Sequence, residues 1–275
     1  MSEGVLILAV GCLTGVLAGL LGAGGGFATV VLLLAAGAEP QVAVGTGLVY
    51  LMVMGGWGTF VHLRLGLADR RLVTTIGVAA TGSALIGAGL AEMLGEGLTV
   101  TLGLFTALVS GISLAWPQSR RPLTVPAMPA AVAVEGVVGE PAPAEPPPKV
   151  DLGPTQLASG AAGGVAIGLL KGLFGVGAGF LIVPVMSSTG RLPRSLAVTS
   201  SLFAILVASV AGTVVHAALG NVAWRALIWL IPGGLFGSFV GVRAGRSMSP
   251  AATRRLSLAV MGASTVYLLV LASSY

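Results

Sequence analysis

Eight apolar stretches, separated by short charged or turn-forming loops, constrain this chain more than any other feature. They run roughly over 4–37, 42–63, 72–91, 98–116, 155–189, 195–219, 224–242 and 256–272. Six are close to the ~20 residues that a helix needs to cross a hydrocarbon core. Charged residues make up only 8% of the chain and hydrophobic ones 55%, with a mean hydropathy of +1.00. A water-soluble fold, which carries about a quarter charged residues, could not cover itself with so few. Glycine, at 43 of 275 residues, is used about twice as often as usual, which suits close-packed membrane helices. The net charge of +5 comes from Lys and Arg scattered between the apolar stretches, as topology signals are. No basic patch speaks for nucleic acid. Cys12, the single cysteine, excludes an intramolecular disulfide. Met1-Ser2-Glu3 lacks the basic n-region of a cleavable signal, so no leader is expected.

Segments 4–37 and 155–189 are too long for one crossing, and glycines interrupt each near its middle. The interruptions are Gly22-Ala23-Gly24-Gly25-Gly26 and Gly175-Val176-Gly177-Ala178-Gly179. Between the halves, 119–153 holds Arg120, Arg121, Glu135, Glu140 and Glu145, with eight prolines from 122 to 148. Such a segment forms no regular helix and reads as an extended or disordered linker. The organisation expected is a membrane repeat over 1–118, a Pro/Ala-rich linker over 119–153 and a second membrane repeat over 154–275.

The two halves repeat each other. The run from Gly15 to Phe27 lies over the run from Gly168 to Phe180, 153 positions later. Gly58-Thr59-Phe60-Val61-His62 lies over Gly212-Thr213-Val214-Val215-His216, 154 positions later. Charge gives the relative orientation. Glu39 in one loop faces Arg191 and Arg194 in its counterpart. Arg64, Arg70 and Arg71 face an uncharged stretch around Gly220-Asn221, and Glu92 and Glu96 face Arg243, Arg246, Arg254 and Arg255. Basic loops stay cytoplasmic, so the halves are expected to be inverted. Inversion needs an odd net number of crossings per half. Three ordinary spans supply it only if each broken segment enters and leaves on one side. Each broken segment is therefore expected to be a re-entrant hairpin of two half-helices of about 15 residues, roughly 22 Å long. The fold class expected is all-α and integral to the membrane, with two inverted repeats. Each repeat is a glycine-tipped broken-helix hairpin followed by three transmembrane helices. Met1 and Tyr275 are then outside and the linker is cytoplasmic.

Two such tips, entering from opposite faces, make the plan of a secondary transporter with a site near the midplane. Irregular backbone survives at that depth only where it lines a cavity or is buried in protein. New half-helices begin near Gly24-Gly25-Gly26-Phe27 and Gly177-Ala178-Gly179-Phe180. Their free N–H groups would favour an anion. The Gly-x-x-x-Gly pairs Gly15/Gly19 and Gly168/Gly172 read instead as helix-packing positions.

Lys171, four residues before Gly175, is the charged residue that stands well inside an apolar segment; its repeat counterpart is Ala18. A charge at depth marks a functional site, and the alternative is a lysine snorkelling toward the interface. Thr199-Ser200-Ser201 and the corresponding Gly45-Thr46-Gly47 open the spans that follow the hairpins. Their hydroxyls suit helix capping or oxyanion contacts. His62 and His216 occupy equivalent positions, which inversion puts near opposite faces. That argues against a shared metal and for interface anchoring or a local hydrogen bond. The sequence offers no His-Glu-x-x-His and no intramembrane acid pair, so an enzyme is not expected. An open channel is the rival to a transporter.

Gly19-Leu-Leu-Gly-Ala-Gly-Gly-Gly-Phe27 followed by Ala43-Val-Gly-Thr46, and Gly172-Leu-Phe-Gly-Val-Gly-Ala-Gly-Phe180 followed by Ala197-Val-Thr-Ser200, resemble the TauE/SafE family of sulfite and organosulfonate permeases. The resemblance covers both halves and omits the linker. It implies a plasma-membrane transporter, often an exporter of sulfite, sulfoacetate or related anions. The second half departs from the first at Thr199-Ser200-Ser201, so the two openings are not equivalent. The anion site expected from the whole reading is formed by both half-helix starts, Lys171, Thr46 and Thr199-Ser200-Ser201. The partners expected are a small anion and the lipid bilayer, with a homodimer allowed and no cofactor, metal or nucleic acid.

Overall fold

The computed structural model of the chain describes residues 3–21, 26–64, 69–95, 153–175, 194–245 and 250–272, with the single positions 97, 101 and 248. Eight helices lie among them: α1 (Glu3–Leu21), α2 (Gly26–Ala35), α3 (Pro40–Arg64), α4 (Arg70–Leu94), α5 (Pro154–Phe174), α6 (Arg194–Ala218), α7 (Trp224–Gly245) and α8 (Pro250–Ala272). The chain is all-helical where it is described. The helices α1, α4, α5 and α7 contain windows long and apolar enough to cross a membrane. Large apolar side chains stand exposed along them, among them Val78, Ile86, Ile228 and Phe236. A water-soluble surface would not tolerate so continuous an apolar face. The apolar segment at 98–116 apart from position 101, the linker up to 152 and the second glycine tip beyond Gly175 lie outside the described residues.

Local chemistry sets the helix ends. Asp69 caps α4, its Oδ1 accepting from the backbone N–H of Arg71 at 2.9 Å and of Leu72 at 3.0 Å. Pro154 begins α5, where its missing N–H would be unpaired in any case. Gly175 ends it in the left-handed region at φ 64, its N–H donating to the Lys171 carbonyl at 2.8 Å.

The first broken segment differs from expectation in its proportions. The helices on either side of residues 22–25 have 19 and 10 residues, where two limbs of about 15 were expected. Nothing before Gly22 interrupts helical hydrogen bonding.

Small residues govern the packing. Gly11 and Gly15 of α1 face Gly233, Gly237 and Gly241 of α7. A Cβ at Gly15 would land on the Gly234 carbonyl, and one at Gly237 on the Cys12 carbonyl. The same device joins α5 to α4. Gly164, Gly168 and Gly172 lie against the backbone of Ile76, Ala80 and Ala84, and Ala80, Ala84 and Ala88 are fully buried. Gly15, Gly168 and Gly172 are thus packing positions, as their spacing suggested. In both pairs the contacting residue numbers rise together, so α1 runs parallel to α7 and α5 parallel to α4. In the third pair they run oppositely: Gly45 meets His216, Leu48 meets Gly212 and Gly55 meets Ile205. Helices α3 and α6 are therefore antiparallel. In the repeat register α1 corresponds to α5, α3 to α6 and α4 to α7. Each half thus packs its first helix against the last described helix of the other half's matching trio.

Candidate functional site around Lys171

Lys171 stands in the last turn of α5 and is wholly buried. Its Nζ donates to Ser209 Oγ on α6 at 2.7 Å, and Ser209 Oγ donates to the Ile205 carbonyl at 2.7 Å. No carboxylate is close enough to compensate the ammonium among the described residues. The snorkelling alternative is thereby excluded, because the side chain turns inward onto a neighbouring helix. An ammonium held by one hydroxyl is poorly compensated, so it favours an anion as a further partner.

The register of α3 on α6 locates this group. Equivalent residues of the two helices meet near Val53 and Val207, where the exchange of halves would map the crossing onto itself. Ser209 is two residues from that point, about 3 Å along the axis. The repeat counterparts of Lys171 and Ser209 are Ala18 and Gly55. The central cation therefore belongs to the second half alone.

The hydroxyls at the span openings lie elsewhere and do not cap their helices. Thr46 is inside α3 and buried, and its Oγ1 accepts from the backbone N–H of Ala223 at 3.0 Å. It ties α3 to the turn between α6 and α7, a role hidden in the sequence because its partner is 177 positions away. Thr199 and Ser200 are buried inside α6, and Ser200 Oγ has no hydrogen-bond partner among the described residues. Ser201 belongs to α6; its side chain is outside the described set. Thr46 and Ser200 each stand seven residues from the centre of the crossing, in opposite directions. That is about 10 Å on each side. The structure does not bring them together.

Gly26 opens α2 and Phe27 follows it, while Gly24, Gly25, Gly177, Ala178, Gly179 and Phe180 lie outside the described residues. Gly175, where α5 stops, packs against Val44 of α3, two residues before Thr46. His216 corrects the anchoring expectation. It is fully buried, beside Gly45 and the backbone of Gly172. Neither of its ring nitrogens makes a hydrogen bond of proper geometry. Thr213, one turn earlier, also has an unpartnered buried hydroxyl. Two polar groups escaped the sequence reading. Ser209 could have been found as a hydroxyl replacing a glycine of the first half. Tyr50 is fully buried, its OH accepting from Thr14 Oγ1 at 3.4 Å, and had no signal beyond its polarity in an apolar span.

The family model for the sulfite exporter TauE/SafE matches residues 7–268. The chain belongs to the TauE/SafE family. It is 28% identical over 275 residues to the "Probable membrane transporter protein YunE" of Bacillus subtilis, covering 96% of this chain and 97% of that one. A "Probable membrane transporter protein" of Xylella fastidiosa strain Temecula1 is 27% identical over 244 residues, covering 86% of this chain and 83% of its own. No solved structure matches the chain significantly. As a TauE/SafE protein it is a multi-pass membrane transporter, not an enzyme.

Proposed function

We propose that this TauE/SafE protein is a secondary transporter that exports a small sulfur-containing anion, sulfite or an organosulfonate such as sulfoacetate, and binds it near the membrane midplane. The observation that carries the reading is Lys171: a wholly buried ammonium near the centre of the α3–α6 crossing, held by Ser209 alone among the described residues. In its protonated form it would attract one small anion, and a single hydroxyl partner among the described residues leaves room in its coordination for substrate oxygens. The start of α2 at Gly26-Phe27 and the tip around Gly177-Ala178-Gly179-Phe180 would supply backbone N–H groups to the same anion. Gly24 and Gly25 would let the chain approach it closely. Thr46 on one side and Thr199, Ser200 and Ser201 on the other would line the two approaches.

The antiparallel course of α3 and α6 supports inverted repeats, and so does the alternation of basic loops. In that arrangement the termini face outward and the linker over 119–153 lies in the cytoplasm. A homodimer is compatible with it.

The test is transport by purified protein in liposomes loaded with sulfite, sulfate, thiosulfate or sulfoacetate. Sulfite or sulfoacetate should move and Lys171→Met should abolish the movement. Accumulation against a gradient is expected of a secondary transporter. Flux that only dissipates gradients would replace it with an anion channel, and a preference for carboxylates would replace the substrate class.

A further inference from the structure

Below the central ammonium, toward the loop between α6 and α7, one face of α6 carries a series of polar groups. Ser209, Thr213 and His216 follow at intervals of four and three residues, within about 60° of one another around the helix. Lys171 Nζ bonds to the first of them. Thr213 Oγ1 and both ring nitrogens of His216 are buried without a hydrogen bond of proper geometry among the described residues, the ring lying beside the Gly172 backbone. The series continues beyond the ring. The backbone N–H of Asn221 donates to the His216 carbonyl at 2.8 Å. The Asn221 side chain donates from Nδ2 to Glu92 Oε2 at 3.2 Å, and Glu92 is exposed at the end of α4.

Buried polar groups are satisfied by protein or by water. Polar atoms so poorly satisfied, on one helix face between a buried amine and an exposed carboxylate, fit a file of water better than they fit a dry core.

We propose that Lys171, Ser209, Thr213 and His216 line a hydrated column through which protons reach the central amine from the membrane face that bears Asn221 and Glu92. Each passage takes a proton from bulk water at that face, through water and the imidazole, to Lys171, converting its neutral amine to the ammonium; the reverse returns it. The groups around the column are few. Helix α5 brings Lys171 and α4 brings Glu92. Helix α3 brings no titratable side chain to His216 among the described residues, since Tyr50 turns toward Thr14 and Gly234. Arg225, exposed in the first turn of α7, is the basic residue next to the mouth in sequence. The repeat counterpart of Lys171 is Ala18, so the first half has no amine for such a column to serve.

The inference rests on the transport reading only in its second test. The first needs no substrate. In a protein with Cys12 replaced by Ala, Thr213→Cys is treated with 2-aminoethyl methanethiosulfonate from the Glu92 face. It should react at least about tenfold faster than Ala208→Cys, a fully buried apolar position on the same helix, because thiol reactivity requires water contact. Equal, slow reaction at both positions overturns the column whatever the protein transports. In the second test, proteoliposomes carry sulfite or sulfoacetate with and without a pH gradient. His216→Gln and Glu92→Gln should keep the parent's flux without a gradient and lose the acceleration that a gradient gives. A parent-like response to the gradient in His216→Gln overturns the proton path. Should the parent move neither anion, the transport reading fails and the labelling alone decides the column.

Discussion

At the scale of single residues, Lys171 separates stability from function. Removing a buried, poorly compensated charge while keeping the bulk of its stem relieves desolvation. Ser209 Oγ keeps its bond to the Ile205 carbonyl when the ammonium is gone. Lys171→Met is therefore expected to unfold at the parent temperature or above in detergent while losing anion transport. Ser209→Ala acts the other way. It strips the ammonium of its hydroxyl and should cost about 1–3 kcal/mol. The double variant should return to the stability of Lys171→Met, a coupling that thermal unfolding of all four proteins measures. An additive result would mean that the 2.7 Å contact contributes nothing. Sequence alone found Lys171, because a charge in an apolar stretch is visible without a structure. It left the choice between an inward and a snorkelling side chain open, since that depends on which helix lies alongside.

Among the helices, the glycine ridges make the sharpest expectations. A Cβ at Gly168 would meet the backbone of Ala80, and one at Gly172 the backbone of Ala84. Backbone cannot rotate away, so Gly168→Ala or Gly172→Ala should cost about 1–3 kcal/mol by overpacking. Gly82 and Gly89 of α4 face open space, and alanine there should be neutral or gain up to about 1 kcal/mol in helix propensity. Thermal unfolding of the four variants tests the contrast; equal losses at all four positions would contradict the packing. The four-residue spacing of these glycines was legible in the sequence. The unequal lengths of α1 and α2 were not, because apolar length alone does not say how a stretch divides between its helices. Nor was the place of Thr46 and Ser200. Both follow an opening in the sequence, and only the antiparallel course of their helices puts them on opposite sides of the centre.

For the molecule as a whole, the repeat and its register could be read directly from residue identities, whereas the pairing of the halves required coordinates. Cysteines at Gly55 and Ile205, in a chain with Cys12 replaced, should be joined by a short bifunctional thiol reagent, because a Cβ at Gly55 stands 3.5 Å from the Ile205 side chain. Failure to cross-link, with both thiols reactive singly, would contradict the antiparallel crossing. Cysteines placed in the 119–153 linker should resist an impermeant reagent added outside intact cells; their labelling would reverse the proposed topology. The packing of α1 on α7 and of α5 on α4 has a consequence for how such a chain is made. When α1 leaves the ribosome, the surface that its glycines fit is more than 200 residues from being synthesised. Its narrow face must wait in lipid until α7 arrives. The first half on its own would also lack the helix that covers its α4. Neither half is a finished object, and under the inverted arrangement proposed above an ancestor encoding only one of them would have needed to insert in both orientations and pair with its own inverted copy.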